Sequence, residues 1–186
     1  MRFTKYSPSA IKIYNKEGRM VLEELSLVAM LPHDGSIVGM GKEVRENPES
    51  FDKDSPKRLE MKEKVMNDPV LLKKYGEFVN TVVLVGSPLK NGTIAELEIS
   101  KRMFMYFVHK AKVFKLFYKF FKPRIAVCVP VEQTDVETTA LRDVMLSIGA
   151  KDVLIFEKPY IDVVQDIPSK YGIVIEIIPK QQNNPL

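Results

Sequence analysis

The spacing of apolar and polar positions divides the chain into three kinds of stretch. In the first third, short apolar runs alternate with turn residues. "AIKIY" (10–14) and "RMVLEELSLVAM" (19–30) flank "NKEG", whose Gly18 suits the positive φ of a tight turn. "DGSIVGMG" adds another turn and a short strand, so a β-meander is expected here. "KEVRENPESFDKDSPKRLEMKEKVMNDPVLLKKYG" (42–76) is different: charged in both signs and poor in β-branched residues. It reads as short, solvated helices broken at Asn47-Pro48 and Ser55-Pro56.

The remainder alternates strand and helix. "VNTVVLVG" (79–86) is a buried strand and "SPLKNGTIAE" (87–96) a turn segment. "ISKRMFMYFVHKAKVF" (99–114) is helical, with Met103, Phe104, Phe107 and Ala111 on one apolar face. "RIAVCVP" (124–130) is a strand. "TDVETTALRDVMLSIGA" (134–150) is a helix turning Val136, Ala140, Val144, Met145 and Ile148 inward, and Gly149 ends it. "DVLIFEK" (152–158), a short helix opened by Pro159, and "GIVIEIIP" (172–179) complete a β-α-β-α-β run. Such an order predicts an α/β fold, a mixed sheet with helices on its faces.

Composition narrows the function classes. A chain of 186 residues supports one domain with a sizeable core. The net charge of +4 is too mild to argue for nucleic acid, and no nucleic-acid partner is expected. Cys128 is the only cysteine and reads as a small buried hydrophobe, which fits a reducing compartment. Neither a signal peptide nor a bilayer-spanning run is evident, so a cytoplasmic location is expected. His33 and His109 stand far apart, no residues have metal-ligand spacing, and no active site or cofactor is expected from the residues themselves.

Two motifs carry candidate chemistry. Thr134-x-x-Glu137 opens a helix and has the pattern of a capping box, in which each side chain satisfies the other's backbone amide. "KAKVFKLFYKFFKPR" (110–124) interleaves Lys115, Lys119 and Lys122 with Phe117, Tyr118, Phe120 and Phe121. That composition suits an interfacial segment on anionic lipid; the other reading is a protein–protein patch.

Several segments, in order, resemble the first half of the MreB family of bacterial actins. They are "RMVLEELSLVAM", "SIVGMGKEV", "SPLKNGTIAELEISKRMFMYFVHKA", "FFKPRIAVCVP" and "TDVETTALRDVMLSIGAKDVLIFEKP". The resemblance implies a ribonuclease-H-like, actin-like domain I with a mixed five-stranded sheet. It would make residues 1–186 a single such domain, with 42–78 an enlarged, charged small-subdomain excursion. Members of that family hold ATP between two domains, on two glycine hairpins preceded by an acid. Here the first hairpin position holds Phe3, Thr4, Lys5, Tyr6 and Ser7, followed by Pro8. The second holds Glu176 at the acid and Ile178, Pro179 and Lys180 at the glycines. Only glycine lets amides approach phosphate closely, and proline has none to donate. The resemblance also makes Glu137 the position that organises the attacking water; without a phosphate cradle it is expected to be only a cap.

The resulting expectation is a non-enzymatic half-actin lacking the family's second domain and acting by binding. Its expected partners are an anionic membrane surface at the inner face of the membrane, a bacterial actin filament, or a second copy. No filaments of its own are expected. A closed dimer is, because "GIVIEIIP" would leave an apolar face bare. The alternative is half of an actin-superfamily ATP-binding protein, completed by a second polypeptide.

Overall fold

The computed structural model describes residues 7–31, 35–51, 56–80, 82–113 and 122–179. The chain starts with β1 (Ala10–Tyr14), β2 (Met20–Leu25), β3 (Val28–Met30) and β4 (Ile37–Met40). Three helices follow: α1 (Lys42–Glu46), α2 (Pro56–Met66) and α3 (Pro69–Asn80). Then come β5 (Leu84–Gly86), β6 (Leu89–Lys90), β7 (Thr93–Ile94), α4 (Leu97–Lys110) and β8 (Arg124–Cys128). The last elements are α5 (Asp135–Ser147), β9 (Asp152–Phe156), α6 (Tyr160–Val163) and β10 (Ile173–Ile178). They form two compact units, one of Leu27–Ser87 and one of the segment up to Ser26 together with everything from Pro88.

The larger unit is built on a five-stranded mixed sheet of order β2-β1-β10-β8-β9. β1 pairs antiparallel with β2 and β10, while β10–β8 and β8–β9 are parallel. Period-2 alternation puts Ile11, Ile13, Ile125, Val127, Ile175 and Ile177 on one face, all fully buried. Met103, Phe104 and Phe107 of α4 are fully buried, as expected from their spacing, with Val108 beside them, while Ala111, expected on the same face, is half-buried. In α5 the buried stripe is Leu141, Val144, Met145 and Ile148, and Val136, expected inward, is 78% exposed. Each i+4 step drifts about 40° round a helix, so a row of such steps leaves the buried face. The opposite sheet face carries Ala126, Cys128 and Val174, packed with Val163 and Tyr171.

The run 19–30 forms two strands, β2 and β3, as the resemblance implies, and they belong to different sheets. The break falls at Ser26, whose Oγ accepts from the Ser9 amide at 2.8 Å while its own amide donates to the Ser9 carbonyl. The strand expected from Val79 starts at Leu84, and Val79 and Asn80 instead close α3. "GIVIEIIP" is not a bare face. It supplies β10, the central strand, hydrogen-bonded on both sides and buried from Ile173 to Ile177. The self-association argued from its exposure therefore loses its ground.

The smaller unit is a three-stranded antiparallel sheet, β4-β3-β5, with Ala29, Leu31, Val44 and Val83 as its core. α2 and α3 are the charged helices expected at the proline breaks. In α2 only Val65 is buried among the side chains described.

Candidate functional site

The candidate site lies at the carboxyl ends of the parallel strands in the larger unit, where loops after β8 and β9 meet the start of α5. Asn91 (φ 51°) and Gly92 (φ 87°) link β6 to β7 as a two-residue turn with both φ positive. Gly92 approaches Val129 and Pro179, so this hairpin packs beside the end of β10.

Glu137 occupies the first turn of α5. Its amide donates to Thr134 Oγ1 at 3.3 Å, and its Oε2 accepts from the Thr134 amide at 2.9 Å. This is a reciprocal capping box. The Thr134 amide first, then the Thr134 hydroxyl, hold the Glu137 carboxyl below the usual carboxylate range, with smaller effects from Thr93 and Lys90 of the facing hairpin. The Thr134 amide and hydroxyl both donate to its Oε2 at 2.9 Å, the geometry of a helix start.

Glu176, which the family resemblance would set at the acid position of a second hairpin, is 6% exposed. Its Oε2 accepts from the Tyr14 hydroxyl at 3.0 Å, and its Oε1 accepts from the Tyr160 amide at 2.9 Å. Tyr14 and Tyr160 stack with ring centroids 4.0 Å apart. Burial first, then the bond to Glu176, raise the Tyr14 phenol well above its ordinary value. Burial, and after it the Glu176 charge, push the Cys128 thiol up to about 12, which makes it inert at neutral pH. A buried carboxylate is tolerated when hydrogen-bonded, and here each oxygen has a donor from the chain itself. An acid that positions hydrated magnesium must face the ion's water shell, whereas Glu176 is buried and each of its oxygens already accepts one hydrogen bond from the chain.

This clasp was not legible in the sequence. Tyr14 and Glu176 are 162 positions apart, and neither tyrosine belongs to a motif. Ile178 and Pro179 follow Glu176 where the amides of a glycine hairpin would lie. Phe3, Thr4, Lys5, Tyr6, Lys180 and His33 lie outside the described residues, as do Lys115, Phe117, Tyr118, Lys119, Phe120 and Phe121. Lys122 is exposed just before β8. His109 is exposed on α4, its Nδ1 2.9 Å from the Met105 carbonyl. Among the described residues no His, Cys, Asp and Glu cluster could hold a metal ion. Among them, too, no helix is long and apolar enough to cross a membrane.

Comparison with known proteins follows the same lines. Residues 76–168 match the sequence profile of the MreB/Mbl protein family. The cell shape-determining protein Mbl of Bacillus cereus is 30% identical over 149 residues, covering 80% of this chain and 35% of that protein. Cell shape-determining protein MreB of Escherichia coli is 35% identical over 72 residues, covering 39% of this chain and 20% of that protein. The crystal structure of MreB5 of Spiroplasma citri bound to ADP superposes with a TM-score of 0.56 at 18% identity. That match covers 84% of this chain and 37% of MreB5, and it shows the shared actin-like fold. The chain thus spans 35% of the length of the Mbl protein it matches. With half of its length inside the family profile and its sheet matched to an actin-like domain, the chain belongs to the MreB/Mbl family.

Proposed function

We propose that this chain is an MreB-like actin domain that works by binding rather than by ATP turnover, serving cell-shape machinery at the membrane surface. One observation carries the reading: Glu176, which the resemblance sets at the acid position of the second hairpin, is buried, with one oxygen accepting from Tyr14 and the other from Tyr160. Ile178 and Pro179 beside it offer no glycine, and Glu137 is engaged by Thr134. These features support loss of the nucleotide site. The cell-shape assignment rests on similarity to the cell shape-determining proteins Mbl and MreB. The aromatic and lysine run 110–124, ending at exposed Lys122, supports peripheral contact with an anionic bilayer. An actin filament or a second copy are the protein partners the family resemblance suggests.

The test is thermal and calorimetric. A ligand at one hundred times its dissociation constant adds about 2.7 kcal/mol to stability. Mg-ATP is expected to leave the melting curve unchanged, and low-micromolar, magnesium-dependent binding by titration overturns the proposal. Sedimentation with anionic vesicles is expected, and is expected to be lost when Phe117, Phe120 and Phe121 are all replaced by Ser.

A further inference from the structure

Lys90-Asn91-Gly92 is a motif that neither the α5 cap nor the Glu176 clasp uses, and it contains the chain's only Asn-Gly pair. β6 and β7 pair Leu89 with Ile94 and Lys90 with Thr93, which leaves Asn91 and Gly92 as the loop between them. The Thr93 hydroxyl donates to the Lys90 carbonyl at 2.8 Å. Among the described residues, neither the Asn91 carboxamide nor the Gly92 amide takes part in a hydrogen bond, and Asn91 is exposed.

That combination has a chemistry of its own. The amide nitrogen of the next residue attacks the asparagine Cγ, forming an N–Cγ bond and expelling ammonia, which closes a five-membered succinimide. Water then opens the ring at either carbonyl and leaves aspartate or isoaspartate, so a carboxamide and water become a carboxylate and ammonia. A side chain on the attacking residue obstructs the approach, and glycine has none. The other described asparagines are protected. Asn15 Oδ1 accepts from the Glu17 and Arg19 amides at 3.1 and 3.0 Å. Asn47 Nδ2 donates to the Glu43 carbonyl at 3.3 Å, and Pro48 after it has no amide hydrogen to give up. Asn67 and Asn80 precede Asp68 and Thr81, whose side chains crowd the attack.

We infer that Asn91 is a self-modification site, at which deamidation through a succinimide places a carboxylate on the hairpin that faces the start of α5. The inference is independent of the proposed function. Its two products differ in consequence. Aspartate tolerates the positive φ of 51° that Asn91 adopts, and the turn survives with one added negative charge. Isoaspartate routes the main chain through the side-chain carbons and lengthens a two-residue loop by one carbon. A Cβ at Gly92 would lie 3.6 Å from Val129 and from Pro179, so the loop is closely packed and the longer chain displaces it. The new charge also joins a hairpin whose Thr93 hydroxyl and Lys90 ammonium act on the Glu137 carboxylate.

The full chain, kept folded in mildly alkaline buffer for several weeks, tests this by peptide mass mapping. The peptide carrying Asn91 is expected to gain the mass of an NH2-to-OH exchange, more slowly in mildly acidic buffer because the attacking nitrogen must lose its proton. Isoaspartate in that peptide is read by labelling with purified isoaspartyl carboxyl methyltransferase and S-adenosylmethionine. Asp34-Gly35 isomerises without a mass change, so the mass gain assigns the signal to Asn91. Intact Asn91 in the folded chain, while a free Leu89–Ile94 peptide converts under the same conditions, overturns the site. Earlier conversion at Asn15, Asn47, Asn67 or Asn80 overturns the selectivity that carries it, and aspartate without isoaspartate overturns the succinimide route. Thermal unfolding checks the consequence. The purified isoaspartyl form should melt below wild type and Asn91→Asp close to it; an isoaspartyl form as stable as Asn91→Asp overturns the displacement of the hairpin.

Discussion

Replacing Glu176 with Ala separates a structural clasp from a metal-positioning acid, because the two roles predict opposite signs. The carboxylate is 6% exposed and receives the Tyr14 hydroxyl and the Tyr160 amide. Hydrogen bonds to charged groups contribute about 1.5–3 kcal/mol each, so two are lost. Removing the carboxylate also removes the several kcal/mol that its burial costs, which offsets part of the loss. A net destabilisation of about 2–4 kcal/mol is expected, a fall in Tm of roughly 4–16 °C for a chain of this size. Urea unfolding at pH 7 of wild type, Glu176→Ala, Tyr14→Phe and the double variant measures it. The double-mutant cycle should show a coupling of about 0.5–3 kcal/mol between Tyr14 and Glu176. An acid kept for ligand binding is commonly a stability burden, and its removal stabilises. A Glu176→Ala protein as stable as wild type, with no Tyr14 coupling and a magnesium-dependent rise in wild-type Tm, refutes the clasp.

Three further outcomes follow from the same geometry. Thr134→Ala removes the cap of α5 and should cost about 1 kcal/mol in denaturant unfolding. Ile175→Ala, in the fully buried middle of β10, should cost about 2–5 kcal/mol, whereas a β10 on a bare face would tolerate it. Tyr14 titrates above its unfolded value of 10.0, so its contribution is present below pH 10 and is lost as pH rises beyond it. Stability measured from pH 9 upward should therefore fall, and less steeply in Tyr14→Phe.

Local pattern was enough for most elements and for the family. Short apolar, β-branched runs mark β1, β8 and β10, three-to-four spacing marks α4, and Thr134-x-x-Glu137 marks the start of α5, because each depends on neighbours within a few residues. Tertiary structure alone decided where β10 lies. An apolar run reads the same at a bare edge and at the centre of a sheet, and only its pairing with both β1 and β8 separates the two. The break at Ser26 depends on Ser9, 17 positions earlier, and the state of Glu176 depends on Tyr14, 162 positions earlier. Strand direction and register bring such distant segments together, and residues scattered along a chain carry no trace of that in their spacing.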